Sequence, residues 1–206
     1  MSLFSIIPVK PLADGKTRLQ DNLSQKARQK LNERLFDHVL TVTIKGIGAE
    51  RTIVVSQDTE VLEKTRAFGA IAVQEKTSLG LNGALSLAAS HAVDQGADAL
   101  LVLPVDLPLL TADDIAALKQ KLVDGNIVIA PDEASSGTNA LLISPPHILA
   151  FAFGTGSFRM HIAAARRAGI EPIIIRRDSL AFDVDTPDDY ARLRSQKEPF
   201  ASFYAS

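Results

Sequence analysis

The feature that most constrains this chain is a regular exchange between two kinds of hydrophobic pattern. Seven short runs are apolar and mostly β-branched, and they are bounded by Pro, Gly, Ser or Asp: "LFSIIPV" (3–9), "TIVVS" (52–56), "AIAVQ" (70–74), "ALLVLP" (99–104), "IVIAP" (127–131), "NALLIS" (139–144) and "PIIIR" (172–176). Such runs predict buried strands. Between them lie helical patterns at 25–46 after Ser24, 58–68 after Ser56 or Gln57, 81–95 ending at Gly96, 112–123 after Thr111, 158–168 ending at Gly169, and 187–194 after Thr186. Strand and helix alternating in this way predict an α/β fold with a mostly parallel central sheet flanked by helices. In such a sheet ligands bind outside the carboxyl ends of the strands.

With 206 residues, 46% hydrophobic and 22% charged, the chain suffices for one core. A single domain is expected over residues 1–194, followed by a tail, "SQKEPFASFYAS" (195–206), that departs from the pattern. The 22 Lys and Arg residues nearly balance the 24 acids. That balance gives no long-range attraction to nucleic acid or to an anionic membrane, and any anion binding must be local. Without cysteine there is no disulfide, thiol nucleophile or Cys-based zinc site. The opening "MSLFSIIPVKPLADGK" is too short an apolar run for a signal peptide, and no stretch reaches the ~18 apolar residues of a membrane span. A cytoplasmic protein is expected.

Within this frame "LLVLPVDLPLLT" (100–111) stands out, because one carboxylate, Asp106, interrupts an apolar run at a strand end. Thr111 and Asp114 have the spacing of a helix capping box and are accounted for by it. Asp106 is not, since a carboxylate beside a buried strand end must be hydrated, hydrogen-bonded or bound to a cation. A turn and a cation ligand both satisfy it. In "LAFDVDTPDDYARL" (180–193), Thr186, Pro187, Asp188 and Asp189 form a complete helix start. Asp183 and Asp185 precede that cap. Two residues apart in an extended segment, they face the same side while Val184 turns to the core, an unfavourable pairing unless a cation or proton intervenes. If this segment ends beside the 99–104 strand, Asp106, Asp183 and Asp185 form a cluster of hard oxygen ligands suited to Mg²⁺.

Two loops carry anion-binding character. "PVKPLADGKTRL" (8–19) follows the first strand with Lys10, Lys16 and Arg18 around Gly15, a setting that suits polyphosphate and equally describes a solvated basic loop. It approaches a P-loop motif without matching it: Lys10 stands where the first glycine belongs, Pro11 removes an amide, and the next helix is expected near Ser24 rather than at the GKT. "FGTGSFRMHI" (153–162) has Gly154 and Gly156 for close backbone approach and Ser157 as the expected helix cap, a pattern that fits an anion site at the helix start and nearly as well ordinary loop and cap chemistry. His161, one turn further, is read as a surface or packed residue, and His38, His91 and His147 share no ligand spacing.

The ordered set "PVKPLADGKTRL", "GLNGAL" (80–85), "LPVDLPLL", "GTNALL", "FGTGSF" and "DVDTPDD" resembles the guanylyltransferases of coenzyme F(420) biosynthesis, from about residue 3 to residue 194. The resemblance implies the Rossmann-like nucleotidyltransferase fold shared with molybdenum-cofactor guanylyltransferases. It further implies transfer of GMP from GTP to the phosphate of a small phosphorylated carboxylic acid: 2-phospho-L-lactate, phosphoenolpyruvate or 3-phospho-D-glycerate. It puts the metal-binding acids on Asp106, Asp183 and Asp185, the acceptor pocket on Thr138, Gly154 and Ser157, the GTP phosphates at Lys10, Lys16 and Arg18, and the base near Gly80, Leu81 and Asn82. Mg²⁺ is the implied cofactor; a homodimer and hand-over of the product to a following enzyme are compatible with it. A lysine-bearing first loop, in place of the glycine-rich loop of many related enzymes, favours the F(420) branch. The alternatives are a nucleotidyltransferase for a sugar phosphate or molybdopterin, a metal-dependent glycosyltransferase using "DVD", and a nucleotide-binding protein without turnover.

Overall fold

Period-2 alternation within strands that are apolar at most positions sends neighbouring residues into two separate cores. In the computed structural model, which describes residues 1–195, Ile7, Val54 and Leu101 face one side with Phe36, Val39 and Ile115. Ile6, Ile53, Leu100 and Val102 face the other with Leu85, Ala88 and Phe158. The sheet between them has seven strands: β1 (Leu3–Val9), β2 (Thr52–Ser56), β3 (Ile71–Gln74), β4 (Ala99–Val102), β5 (Ile127–Pro131), β6 (Thr138–Ile143) and β7 (Ile173–Ile174). Their order is β3-β2-β1-β4-β6-β5-β7. Every pairing is parallel except those of β6, which runs antiparallel to both β4 and β5. The six residues 132–137 between β5 and β6 are too few for a crossover helix, so the chain must double back.

The helices are α1 (Gln25–Ile47), α2 (Thr59–Ala67), α3 (Gly80–Asp94), α4 (Ala112–Lys119), α5 (Ser157–Arg167), α6 (Asp178–Ala181) and α7 (Pro187–Ser195). Ser24 caps α1 by accepting from the Ala27 amide, and Thr111 and Asp114 form the expected capping box of α4. Several boundaries differ from the sequence reading. Asp58, rather than Ser56 or Gln57, caps α2. Helix α4 ends at Lys119, four residues early. Ser157 is the first residue of α5 and not its cap: Gly156, at φ 74°, turns the chain one residue earlier in the left-handed region that glycine enters without strain. The four-residue α6 is too short to leave a periodic signal. Apart from Ser195, the tail lies outside the described residues. No helix among the described residues is long and apolar enough to cross a membrane.

The chain moves from β1 outward to β2 and β3, then returns to lay β4 on the opposite side of β1. The connections leaving β1 and β4 therefore part company at their carboxyl ends, which opens a crevice there. That crevice is where the first loop and the Asp106 turn meet.

Candidate active site

Two tandem 3-10 turns, Leu12–Asp14 and Thr17–Leu19, shape the first loop, joined through Lys16 in the left-handed conformation at φ 54°. The buried Asn32 of α1 donates from Nδ2 to the Leu12 carbonyl at 2.7 Å. Asp58 accepts from the Leu12 amide at 3.2 Å. A Cβ on Gly15 would lie 2.5 Å from Asn32 Nδ2, so a side chain at residue 15 would press on the amide that holds the loop to α1. The result is that Lys16 points inward. Its Nζ donates to Asp106 Oδ2 at 3.0 Å and to Asp185 Oδ1 at 2.9 Å, while Arg18 reaches to 3.6 Å of Asp185 and stays mostly in solvent.

A backbone hydrogen bond joins the "DVD" segment to the Asp106 turn across nearly eighty residues of sequence, and Asn139 ties the same segment to β6. The Val184 amide donates to the Asp106 carbonyl at 3.1 Å. Asn139, buried in β6 beside β4, donates from Nδ2 to the carbonyls of Leu180 and Ala181 and to Asp183 Oδ1. Val184 is fully buried, as its alternation with the two acids requires. Asp189 accepts from the amides of Asp185 and Thr186 and from the Thr186 hydroxyl, which fixes the turn into α7. Asp106, Asp183 and Asp185 consequently converge, each offering an oxygen within 4.8 Å of the others.

The charges of this cluster are out of balance. Burial first, and the neighbouring carboxylate of Asp106 second, push Asp183 up to about 7. Burial alone would also raise Asp185, but Lys16, with Arg18 and Lys10 behind it, holds it below the ordinary carboxylate value. Burial would lower the Lys16 ammonium, and Asp106 and Asp185 outweigh that and hold it above the usual lysine value. Three converging carboxylates with one proton-hungry member and an ammonium already seated between the other two present a site made for positive charge. The donors are oxygens only, so the set fits Mg²⁺.

A cleft of about 690 Å³ opens beside the acids, lined by Lys10, Lys16 and Arg18 of the first loop, Gly80 and Leu81 of α3, and Asp106 and Asp185. That volume lies within the ordinary range for a small-molecule site. Asn82 does not line it. Its amide is engaged at both ends by the backbone of Phe153, donating to the carbonyl at 3.0 Å and accepting from the amide at 2.8 Å. Thr138, Gly154 and Ser157 lie apart from the cleft lining but close to one another in the fold: the Phe158 amide donates to the Ser136 carbonyl at 3.1 Å, and so brings the start of α5 against the entry to β6. Thr138 and Ser157 are buried and Gly154 is exposed. Since Asn139 holds Asp183, Thr138 stands one residue along β6 from a group that touches the acid cluster.

Asn32, Asp58 and Asn139 are site-shaping residues that the sequence reading did not single out. The signals for Asn139 are an asparagine in an apolar strand and its place in the "GTNALL" motif. Asn32 and Asp58 resemble ordinary helix residues until their distant partners are known.

The fold is the α/β type shared with solved nucleotidyltransferases. A nucleotidyl transferase from Methanothermobacter thermautotrophicus superposes with a TM-score of 0.66 over 94% of this chain and 96% of that one, at 15% identity, a likeness of fold alone. Residues 3–195 match the family described as guanylyl transferase CofC like, and the chain belongs to that family. It is 43% identical to the phosphoenolpyruvate guanylyltransferase of Rubrobacter xylanophilus over 95% of each chain. It is 31% identical to the 2-phospho-L-lactate guanylyltransferase of Methanothermobacter thermautotrophicus, covering 94% of this chain and 84% of that one.

Proposed function

We propose that this enzyme transfers GMP from GTP to the phosphate of a small phospho-acid, with phosphoenolpyruvate as its acceptor. The carrying observation is the convergence of Asp106, Asp183 and Asp185 with Lys16 at the mouth of a nucleotide-sized cleft. The choice of phosphoenolpyruvate rests on the similarity to the Rubrobacter enzyme.

In this reading a phosphate oxygen of the acceptor forms the new bond to the α-phosphorus of GTP. The bond from that phosphorus to the α–β bridging oxygen breaks, and pyrophosphate leaves with the electron pair. The attacking oxygen is already anionic at neutral pH, so no general base is needed. In agreement, the cleft lining includes neither His161, whose Nδ1 lies 3.0 Å from the Thr138 hydroxyl, nor the half-buried His38, whose Nε2 lies 3.0 Å from the Leu110 carbonyl. Lys10, Lys16 and Arg18 offset the charge of the triphosphate and of the departing pyrophosphate, and Gly80 and Leu81 border the space for the base. Mg²⁺, bound at Asp106, Asp183 and Asp185, would supply charge neutralisation and a common anchor for phosphate oxygens. Thr138, Gly154 and Ser157 receive the acceptor acid.

The test is to incubate purified protein with Mg²⁺, GTP and each of phosphoenolpyruvate, 2-phospho-L-lactate and 3-phospho-D-glycerate, following pyrophosphate together with product mass. Release that requires both GTP and phosphoenolpyruvate is expected. Release from GTP without any acceptor, or none with all three, overturns the proposal.

A further inference from the structure

His161 is a wholly buried histidine that the chemistry above leaves without a task. Its ring has two partners. The Ala152 amide donates to Nε2 at 3.1 Å, so Nε2 carries no proton. The neutral ring must therefore be protonated at Nδ1, and Nδ1–H donates to the Thr138 hydroxyl oxygen at 3.0 Å. Burial pushes the ring down to about 4, in keeping with this single tautomer at neutral pH. Thr138 accepts here, which leaves its own hydroxyl hydrogen unused. Its side-chain hydrogen bond among the described residues is the one to His161, and Thr138 is only 4% exposed. With Nδ1–H as the donor in that bond, the hydroxyl hydrogen is left available to a ligand oxygen.

The loop facing Thr138 is held by the same ring and by Asn82. Ala152 is fixed by His161, Phe153 by the two-armed amide of Asn82, and the Phe153 ring meets the His161 ring edge-on at a centroid distance of 4.8 Å. Immediately after these two anchored residues comes Gly154 at φ 129°, and the space a Cβ would fill there is open. The chain thus arrives at Gly154 with its direction set and its backbone bare.

We infer that His161 and Asn82 are positioning residues for the acceptor: His161 fixes the Thr138 hydroxyl as a donor toward an anionic oxygen of the phospho-acid, and both residues hold the Gly154 loop opposite it. This rests on the assignment of Thr138, Gly154 and Ser157 to the acceptor pocket. Asn82 follows Gly80 and Leu81 of the nucleotide cleft on α3, so its task is to tie that helix to the acceptor loop rather than to contact the base.

The experiment compares His161→Phe, His161→Asn, His161→Gln, Asn82→Ala and Thr138→Val by KM for phosphoenolpyruvate, KM for GTP and thermal melting. His161→Phe and Asn82→Ala should raise the acceptor KM about tenfold, the size of one misplaced charge-assisted hydrogen bond, with the GTP KM within about twofold of wild type. The asparagine amide reaches as far as Nδ1 and keeps a donor for Thr138, and the glutamine amide reaches as far as Nε2 and keeps an acceptor for Ala152. Each should recover part of the loss. The inference fails if folded His161 and Asn82 variants keep a wild-type acceptor KM, if both KM values rise in parallel, or if Asn82→Ala raises the GTP KM alone. Thr138→Val separates this failure from that of the pocket: an unchanged acceptor KM in that variant removes the pocket assignment and the inference with it, whereas a raised one beside unaffected His161 variants removes the positioning roles alone. Should His161→Phe not fold, the Asn, Gln and Asn82→Ala variants decide the matter.

Discussion

Replacing Asp183 by Asn should stabilise the metal-free protein while removing its activity. Asp183 is held at about 7 against an ordinary value of 3.8, first because burial penalises its charge and second because Asp106 repels it. That gap is roughly three decades of proton affinity, or about 4 kcal/mol at about 1.4 kcal/mol per decade. The carboxylate keeps partial access to water from the cleft, so about half of this, about 2 kcal/mol, is the expected gain. The hydrogen bond from Asn139 Nδ2 survives, because the amide oxygen of Asn can accept it. A raised carboxylate holds its proton more tightly folded than unfolded, so folding takes up a proton between about pH 4 and 7 and wild-type stability falls as pH rises through that window. The advantage of the variant should therefore be near zero below pH 4, grow to pH 7 and stay constant above. At pH 8 with a chelator, about 2 kcal/mol corresponds to a melting temperature higher by about 4–8 °C for a chain of this size. Added Mg²⁺ should then raise the melting temperature of wild type more than that of the variant. A variant no more stable than wild type at pH 8 without metal, or one whose advantage does not change with pH, refutes the reasoning.

Asp106→Asn should keep its fold and lose most turnover, since it deletes one charge of the cluster with almost no change of shape; wild-type rates at saturating Mg²⁺ would rule out its role. Lys16→Ala removes the ammonium 2.9–3.0 Å from Asp185 and Asp106 and should raise the KM for GTP more than that for the acceptor, as steady-state kinetics with each substrate varied in turn will measure. Asp114→Ala should cost about 2–4 kcal/mol in urea unfolding. Its fully buried carboxylate caps α4 and also accepts from Arg177 and from the Ser179 hydroxyl at 2.7 Å. The loss should be smaller in acid: its hydrogen bonds to Ser179, Thr111 and Arg177 outweigh burial and hold its pKa low, and the stability they give is present above about pH 4 and disappears as the native carboxyl protonates.

How far the site was legible varies residue by residue. Asp106 announced itself as a charge without a local partner, and Thr111, Asp114, Thr186 and Asp189 were separable from it because capping has a fixed spacing. Asp183 and Asp185 were readable as a pair from strand geometry alone. Ser157 was misjudged as a cap because serine before a helical pattern is the commoner signal, and only the φ of Gly156 reveals that the turn falls one residue earlier. Asn82 sat in a motif that suggested the nucleotide, yet both ends of its amide are taken by Phe153, a partner 71 residues away. His161 looked like an isolated residue because neither Thr138 nor Ala152 has any sequence relation to it.

The amino-acid sequence by itself determined the strands, the longer helices, the two-faced burial of the sheet and the caps of α1 and α4, because each of these depends on periodicity and on interactions within a few residues. Tertiary structure decided which carboxylates meet, which way Lys16 turns, and which partners His161 and Asn82 find. Those outcomes depend on strand order and on hydrogen bonds such as Val184 to Asp106 and Asn139 to Asp183. Such contacts join residues that are distant along the chain and neighbours only once β4 and β6 lie side by side, so no spacing along the chain could encode them.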